Sequence, residues 1–168
     1  MIHFREANVD DISLIRDMTM KVWPQTYANI LSPEQIDYML GMMYSVESLK
    51  YQIEEKGHQF IIGYDDKEPV AFASFSPKDS ENKNRWRLHK IYILPGQQGK
   101  GIGKKMVDYI AAEALRYGAS EIELNVNRYN PAKTFYEKIG FSEIGQEDID
   151  IGGGYLMNDY IMLLKIKE

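Results

Sequence analysis

The sequence predicts an α+β fold: six or seven short strands in a mixed, mostly antiparallel sheet, with helices packed against it. Three observations carry this. Strand-like and helix-like segments are interleaved along the chain, and neither type dominates. Two strand-like segments, 60–64 and 70–76, are joined by the short turn Asp65-Asp66-Lys67-Glu68-Pro69, as in an antiparallel hairpin. The 168 residues are 44% apolar and carry no repeat, low-complexity tract or linker, which suits one domain, 1–168, with a single core.

In chain order, Ile2 to Ala7 reads as an edge-like strand. Asp10 or Asp11 caps a helix running to about Trp23, with Ile12, Ile15, Met18 or Thr19, and Val22 on one face, and Pro24 marks its end. Ser32-Pro33-Glu34-Gln35 is a capping-box start for a helix carrying Ile36, Met39, Leu40 and Met43. A further helix spans Val46 to Glu55. After the hairpin comes a polar loop, Pro77 to Arg85, and then a strand from Trp86 to Leu94. A helix over 101–117 places Ile102, Met106, Ile110 and Ala114 on one face, with Gly118 after its end. The chain closes with strand 121–126, helix 131–139, strand 141–145 and a last strand from Tyr155 to Ile166. Gly152-Gly153-Gly154 joins the last two strands as a hairpin turn or a mobile lip. Asp65-Asp66, Glu147-Asp148 and Asp150 read as solvated turns; the later three could also form a rim that attracts an amine.

Composition removes several classes. No cysteine is present, so disulfides and a cysteine acyl-enzyme are excluded. The start Met1-Ile2-His3-Phe4-Arg5-Glu6 lacks a signal-peptide apolar core, and no apolar run approaches membrane length, so the expected location is the cytoplasm, away from membranes. A net charge of −5 weighs against a nucleic-acid partner and is consistent with a cationic amine. No metal is expected.

The most informative stretch is Leu88 to Lys104. An apolar strand runs into a glycine-rich turn that opens a helix, which aims backbone N–H groups and the positive end of the helix dipole at one point. Such a point holds phosphate, and Lys100, Lys104 and Lys105 add charge of the right sign. The turn is not a Walker loop, because Gly99-Lys100 is followed by Gly101 and no Ser or Thr stands there to hold magnesium. It is not the dinucleotide fingerprint either, since Gly99, Gly101 and Gly103 alternate. The spacing present is Gln98-x-x-Gly101-x-Gly103. Downstream, strand 121–126 leads into Asn130-Pro131-Ala132, then Tyr136-Glu137-Lys138, Gly140 and Phe141; Asn130 suits an N-cap and Pro131 the first helical position.

These two motifs, in this order, resemble the Q/R-x-x-G-x-G/A and N-x-A-x-x-x-Y-E-K-x-G-F signatures of the GNAT acetyltransferase superfamily, and the element order is also that family's. The signature lies in residues 88–141. The stretch Gly153 to Met162 loosely resembles PaiA-type small-amine and polyamine members. The resemblance implies a three-layer α/β/α sandwich with splayed central parallel strands, acetyl-CoA as cofactor, and transfer of its acetyl group to a primary amine of a small molecule. It implies cofactor contacts from the main chain of Ile91, Tyr92 and Ile93, from Gln98, Gly99, Lys100, Gly101, Ile102, Gly103 and Lys104, and from Asn130, Lys133 and Tyr136. An N–H near Ile93 would polarise the thioester carbonyl.

Tyr136 takes the general-acid position of that family; the plain alternative is a core tyrosine beside Phe135 and Ile139. Many relatives carry a glutamate two residues before the position of Ile91. Here His89 stands there, and histidine can serve as base. Tyr92, Glu123 and Asn125 are candidate relay members, while His3 and His58 read as surface or terminal residues. Of Trp23, Tyr27, Tyr38 and Tyr44 in the first helical region, Tyr27 is the candidate acceptor contact, together with Asn125. Ala71 to Ser76 and Ile144 to Ile151 are candidate homodimer contacts. Two other readings stay open: acetylation of a protein N-terminus or lysine, and an acyl-CoA sensor without turnover.

Overall fold

A computed structural model describes residues 1–78, 81 and 84–167. Its contacts gather into two compact units, Met1–Ser76 with Lys90–Ile110, and Pro77–His89 with Ala111–Glu168. Strand β4 (Arg85–Ile93) and helix α4 (Ile102–Arg116) each contribute residues to both.

The first unit holds β1 (Ile2–Ala7), α1 (Ile12–Tyr27), α2 (Pro33–Tyr44), α3 (Val46–Glu54), β2 (Gln59–Asp65) and β3 (Glu68–Pro77), in the strand order β1-β2-β3-β4. The β1–β2 and β2–β3 pairs are antiparallel. A 3₁₀ turn, Val9–Asp11, precedes α1, and its cap is Asn8 rather than Asp10 or Asp11: the Asn8 side chain accepts from the Asp10 N–H, and the Asp11 carboxylate accepts from the Asn8 N–H. The predicted α1 face, Ile12, Ile15, Met18, Thr19 and Val22, is buried. Pro24 does not end the helix, which continues to Tyr27. Pro24 is exposed, so its ring meets solvent, and the Met20 carbonyl that loses a donor sits on an exposed turn. Ser32 caps α2 through the Gln35 N–H at 3.1 Å, as predicted. Strand β3 is buried at every position from Val70 to Ser76. Both of its faces are covered, so Ala71 to Ser76 form core and cannot serve as a dimer contact.

The second unit holds β5 (Glu121–Asn127), α5 (Ala132–Lys138), β6 (Ser142–Gly152) and β7 (Tyr155–Lys165), in the order β4-β5-β7-β6. β4 and β5 are parallel; β7 is antiparallel to both β5 and β6. The strand predicted at 141–145 runs on to Gly152, so Glu147, Asp148 and Asp150 lie within a strand and not in a turn. The reason is the ladder: β6 is paired along β7 from Ser142–Leu163 to Gly152–Tyr155. An edge strand with both faces largely in water has no need of apolar alternation. Gly152, Gly153 and Gly154 all have positive φ and close a hairpin. The polar loop expected at 77–85 falls partly outside the described residues.

Candidate functional site

The glycine-rich turn precedes α4 in the first unit. Gly99 and Gly101 have φ of 85° and 74°, which favour glycine, and a Cβ placed on either would meet no atom within 4 Å. The turn is held from within: the Gln98 side-chain oxygen accepts from the Gly96 N–H at 3.0 Å, and the Gln97 N–H donates to the Leu94 carbonyl at 3.1 Å. The first main-chain bond of α4 runs from the Lys105 N–H to the Gly101 carbonyl. Among the described residues, no N–H from Gln98 to Lys104 has an acceptor within the chain. Gln98, Gly99, Lys100 and Gly101 are exposed, while Ile102 and Gly103 are buried and root the turn. A row of unsatisfied amides on an open, side-chain-free surface fits a pyrophosphate. The lysine side chains are already engaged: Lys100 with Gln97 at 2.8 Å, and Lys104 with Asp108 at 2.9 Å. The open donors of the turn are therefore its main-chain N–H groups rather than its lysine side chains.

Strand β4 ends just before this turn. Among the described residues its parallel pairing with β5 spans Arg85–Leu88 against Glu121–Leu124, and β4 itself runs on to Ile93. Ile91, Tyr92 and Ile93 lie in this stretch. Side chains alternate along it: Trp86, Leu88 and Lys90 are buried on one face, and Arg85, Arg87 and His89 are half-buried on the other.

Tyr92 belongs to the Lys90 face. Its hydroxyl is 3.3 Å from that of Tyr27, and Trp23, Tyr44 and Phe72 pack around them. Lys90 is a residue that sequence reasoning passed over. It is 6% exposed; its Nζ donates to Gln52 Oε1 at 2.6 Å and lies 5.4 and 5.6 Å from the Tyr44 and Phe60 ring centroids. Gln52 spends its own amide hydrogens on the Met43 carbonyl and Ser48 Oγ, which leaves its oxygen for the lysine. Burial, with a smaller repulsion from Lys56, lowers the Lys90 ammonium to about 7. The signal was present in the period-two series Trp86, Leu88, Lys90, Tyr92, which places the lysine on an apolar face.

In the second unit, Asn125 Nδ2 donates to Glu147 Oε1 at 3.1 Å and to Asp159 Oδ2 at 3.3 Å. Asp159 is 1% exposed, and burial raises its carboxyl above the ordinary value, against the Asn125 hydrogen bond and the Arg87 charge. Asp159 was also missed, although it is the one acid of β7 and sits at a buried position. Glu123, a candidate relay member, is instead enclosed by Lys78, Arg85 and Arg87 at 2.8, 3.2 and 3.4 Å. These three ion pairs tie its carboxylate into a structural network. Tyr136 is buried on α5 between Phe135 and Phe141. The Asn130 side chain accepts from the Ala132 N–H at 2.9 Å, but the helix begins at Ala132 with Pro131 at the N-cap, one residue later than predicted. Lys133 is turned to Glu143 at 2.9 Å and lies over the Tyr160 ring. His3 is exposed and stacks on Tyr64; His58 is half-buried. Among the described residues, no group of three His, Cys, Asp or Glu side chains could hold a metal ion, and no helix is long and apolar enough to cross a membrane.

Known proteins resemble the chain in sequence and in fold. A profile of the acetyltransferase (GNAT) family matches residues 17–141. The uncharacterized N-acetyltransferase YuaI of Bacillus subtilis is 27% identical over 154 residues, covering 91% of this chain and 87% of its own. The crystal structure of a PaiA N-acetyltransferase from Thermoplasma acidophilum in complex with coenzyme A superposes with a TM-score of 0.81 at 26% identity, over 98% of this chain and 99% of its own. A chimera of the spermidine N-acetyltransferase SpeG from Vibrio cholerae and hSSAT shares the fold at 20% identity, with a TM-score of 0.71, over 98% of this chain and 95% of its own.

Proposed function

Because the chain belongs to the acetyltransferase (GNAT) family, we propose that it moves the acetyl group of acetyl-CoA onto a primary amine of a small molecule. It is an N-acetyltransferase with acetyl-CoA as cosubstrate; the small acceptor is our reading. The observation that carries it is the run of unpartnered amides from Gln98 to Lys104 at the start of α4, beside open space at Gly99 and Gly101. Those amides take the pyrophosphate, with Ile102 and Gly103 rooting the turn and Lys100 and Lys104 adding charge at its rim. Asn130 and Lys133 are further proposed cofactor contacts. The main chain of Ile91, Tyr92 and Ile93 pairs with the pantetheine arm as a strand would, and an N–H near Ile93 polarises the carbonyl.

Acetyl-CoA supplies an activated carbonyl carbon. An alkyl amine, with a pKa near 10.4, arrives as the ammonium and must first lose a proton. His89 is the proposed base, its ordinary value lying close to neutrality. Tyr136 returns a proton to the departing thiolate as the C–N bond forms and the C–S bond breaks. Tyr27 and Asn125 are the proposed acceptor contacts. We place the reaction in the cytoplasm, in one catalytic domain spanning 1–168. The exposed edge strand from Ile144 to Ile151 is the proposed homodimer contact.

Release of CoA thiol with a panel of small amines and of peptides tests the reading. Turnover on small amines is expected. Acetylation of peptides alone would overturn the small-molecule assignment, and tight acetyl-CoA binding without turnover on any acceptor would make the chain a sensor.

A further inference from the structure

Four aromatic residues of the first unit, Trp23, Tyr27, Tyr44 and Tyr92, bring their polar atoms together. The Tyr27 and Tyr92 hydroxyls are 3.3 Å apart. Trp23 packs on Tyr27 at 4.4 Å and edge-on to Tyr44 at 5.6 Å between centroids. The Trp23 indole N–H and the Tyr92 hydroxyl lie near enough to the Tyr44 hydroxyl to oppose part of the effect of its burial. Neither reaches it in hydrogen-bonding geometry, however, and both Trp23 Nε1 and the Tyr44 hydroxyl are enclosed without a partner. The two residues are 1% and 3% exposed. Two neighbouring buried polar groups left bare mark a place that something else completes. Tyr27 and Tyr92, which border the two, are half-buried.

The chemistry of the missing partner follows from what surrounds it. An indole nitrogen only donates. Burial raises the Tyr44 and Tyr92 hydroxyls above the ordinary tyrosine value, so both keep their hydrogens at neutral pH. The charge beside them is cationic: Lys90 Nζ stands 5.4 Å from the Tyr44 ring centroid, bonded to neutral Gln52. Among the described residues no carboxylate pairs with it. An oxyanion at this spot gains donors and faces a lysine without a counter-ion, whereas a second ammonium would face a like charge.

We propose that Trp23, Tyr44 and Tyr92 form a subsite for a carboxylate oxygen of the acceptor, so that the amine acetylated is an amino acid or a close analogue and not a polyamine. This rests on the small-amine reading above and adds the acceptor's second functional group.

The test compares α-amino acids with the amines left when their carboxyl group is removed, pair by pair, alongside spermidine. Binding to the CoA-loaded protein is read by calorimetry, and acetylation by release of CoA thiol. The best amino acid is expected to bind at least about tenfold more tightly than its decarboxylated partner. Trp23→Phe and Tyr44→Phe each keep the ring and remove a donor, and each should cut that preference by roughly fivefold, the equivalent of one hydrogen bond. Decarboxylated amines or spermidine binding as well as the acids, no acid binding at all, or variants that weaken both members of a pair equally would overturn the subsite and leave a bound water as its occupant. Should a variant fail to fold, the preference of the unmodified protein decides. Acid-selective binding without turnover would defeat the enzymatic reading and keep the subsite; turnover without acid preference would do the reverse.

Discussion

Replacing Lys90 by methionine removes a charge that the fold encloses while keeping a side chain of similar length on β4. The folded lysine titrates near 7 and its ordinary value is 10.5. Between these values the unfolded chain holds a proton that the folded chain has released, so stability rises with pH across this window. The cost of enclosing the lysine is fully present below about pH 7 and fades toward pH 10.5. A difference of 3.5 units (10.5 − 7) corresponds to a full cost on the order of 5 kcal/mol, of which roughly 4 remains at pH 7 and roughly 2 at pH 9. The unmodified protein should therefore gain about 2 kcal/mol more than Lys90→Met on going from pH 7 to pH 9, or about 4–8 °C in Tm for a chain of this size. Methionine also forfeits the bond to Gln52 and bares its oxygen, at about 1–3 kcal/mol. That loss is the same at both pH values and cancels in the comparison. Urea titrations of both proteins at pH 7 and pH 9 measure the difference directly. Parallel pH dependence in the two would show that Lys90 does not titrate in this window, and the account of its burial would fall.

Gly101→Val should lower acetyl-CoA affinity at least tenfold while costing only about 1–2 kcal/mol of stability, because the site has a positive φ but open space; unchanged affinity in a calorimetric titration would remove the turn from the cofactor site. Tyr136→Phe should lower kcat by about 10²-fold with the KM for acetyl-CoA nearly constant, as expected for a lost general acid; steady-state kinetics with full activity would return Tyr136 to the core. Glu123→Ala strands Lys78, Arg85 and Arg87 and should cost about 3 kcal/mol in urea unfolding; a loss below about 1 kcal/mol would mean that water already serves the three cations.

Much of the fold was legible because it is written in local periodicity. The apolar face of α1, the Ser32 cap of α2 and the hairpin between β2 and β3 all depend on residues within a turn or two of one another. The failures were places where a local rule met a distant partner. Pro24 stops no helix because its ring meets only solvent. β6 is twice as long as its own residues suggest because β7 supplies the ladder. Ala71 to Ser76 look available until both faces of β3 are covered.

The same division runs through the candidate site. The order strand, glycine turn and helix, with Asn130 and Tyr136 downstream, was set by sequence alone, since backbone conformation and capping are decided among neighbours in the chain. Only the tertiary structure decided that Lys90 is enclosed without a counter-ion, that Glu123 is held by three cations and that Trp23 and Tyr44 meet with their polar atoms bare. Burial and charge pairing are sums over residues far apart in the chain. No local pattern encodes them until the elements have packed.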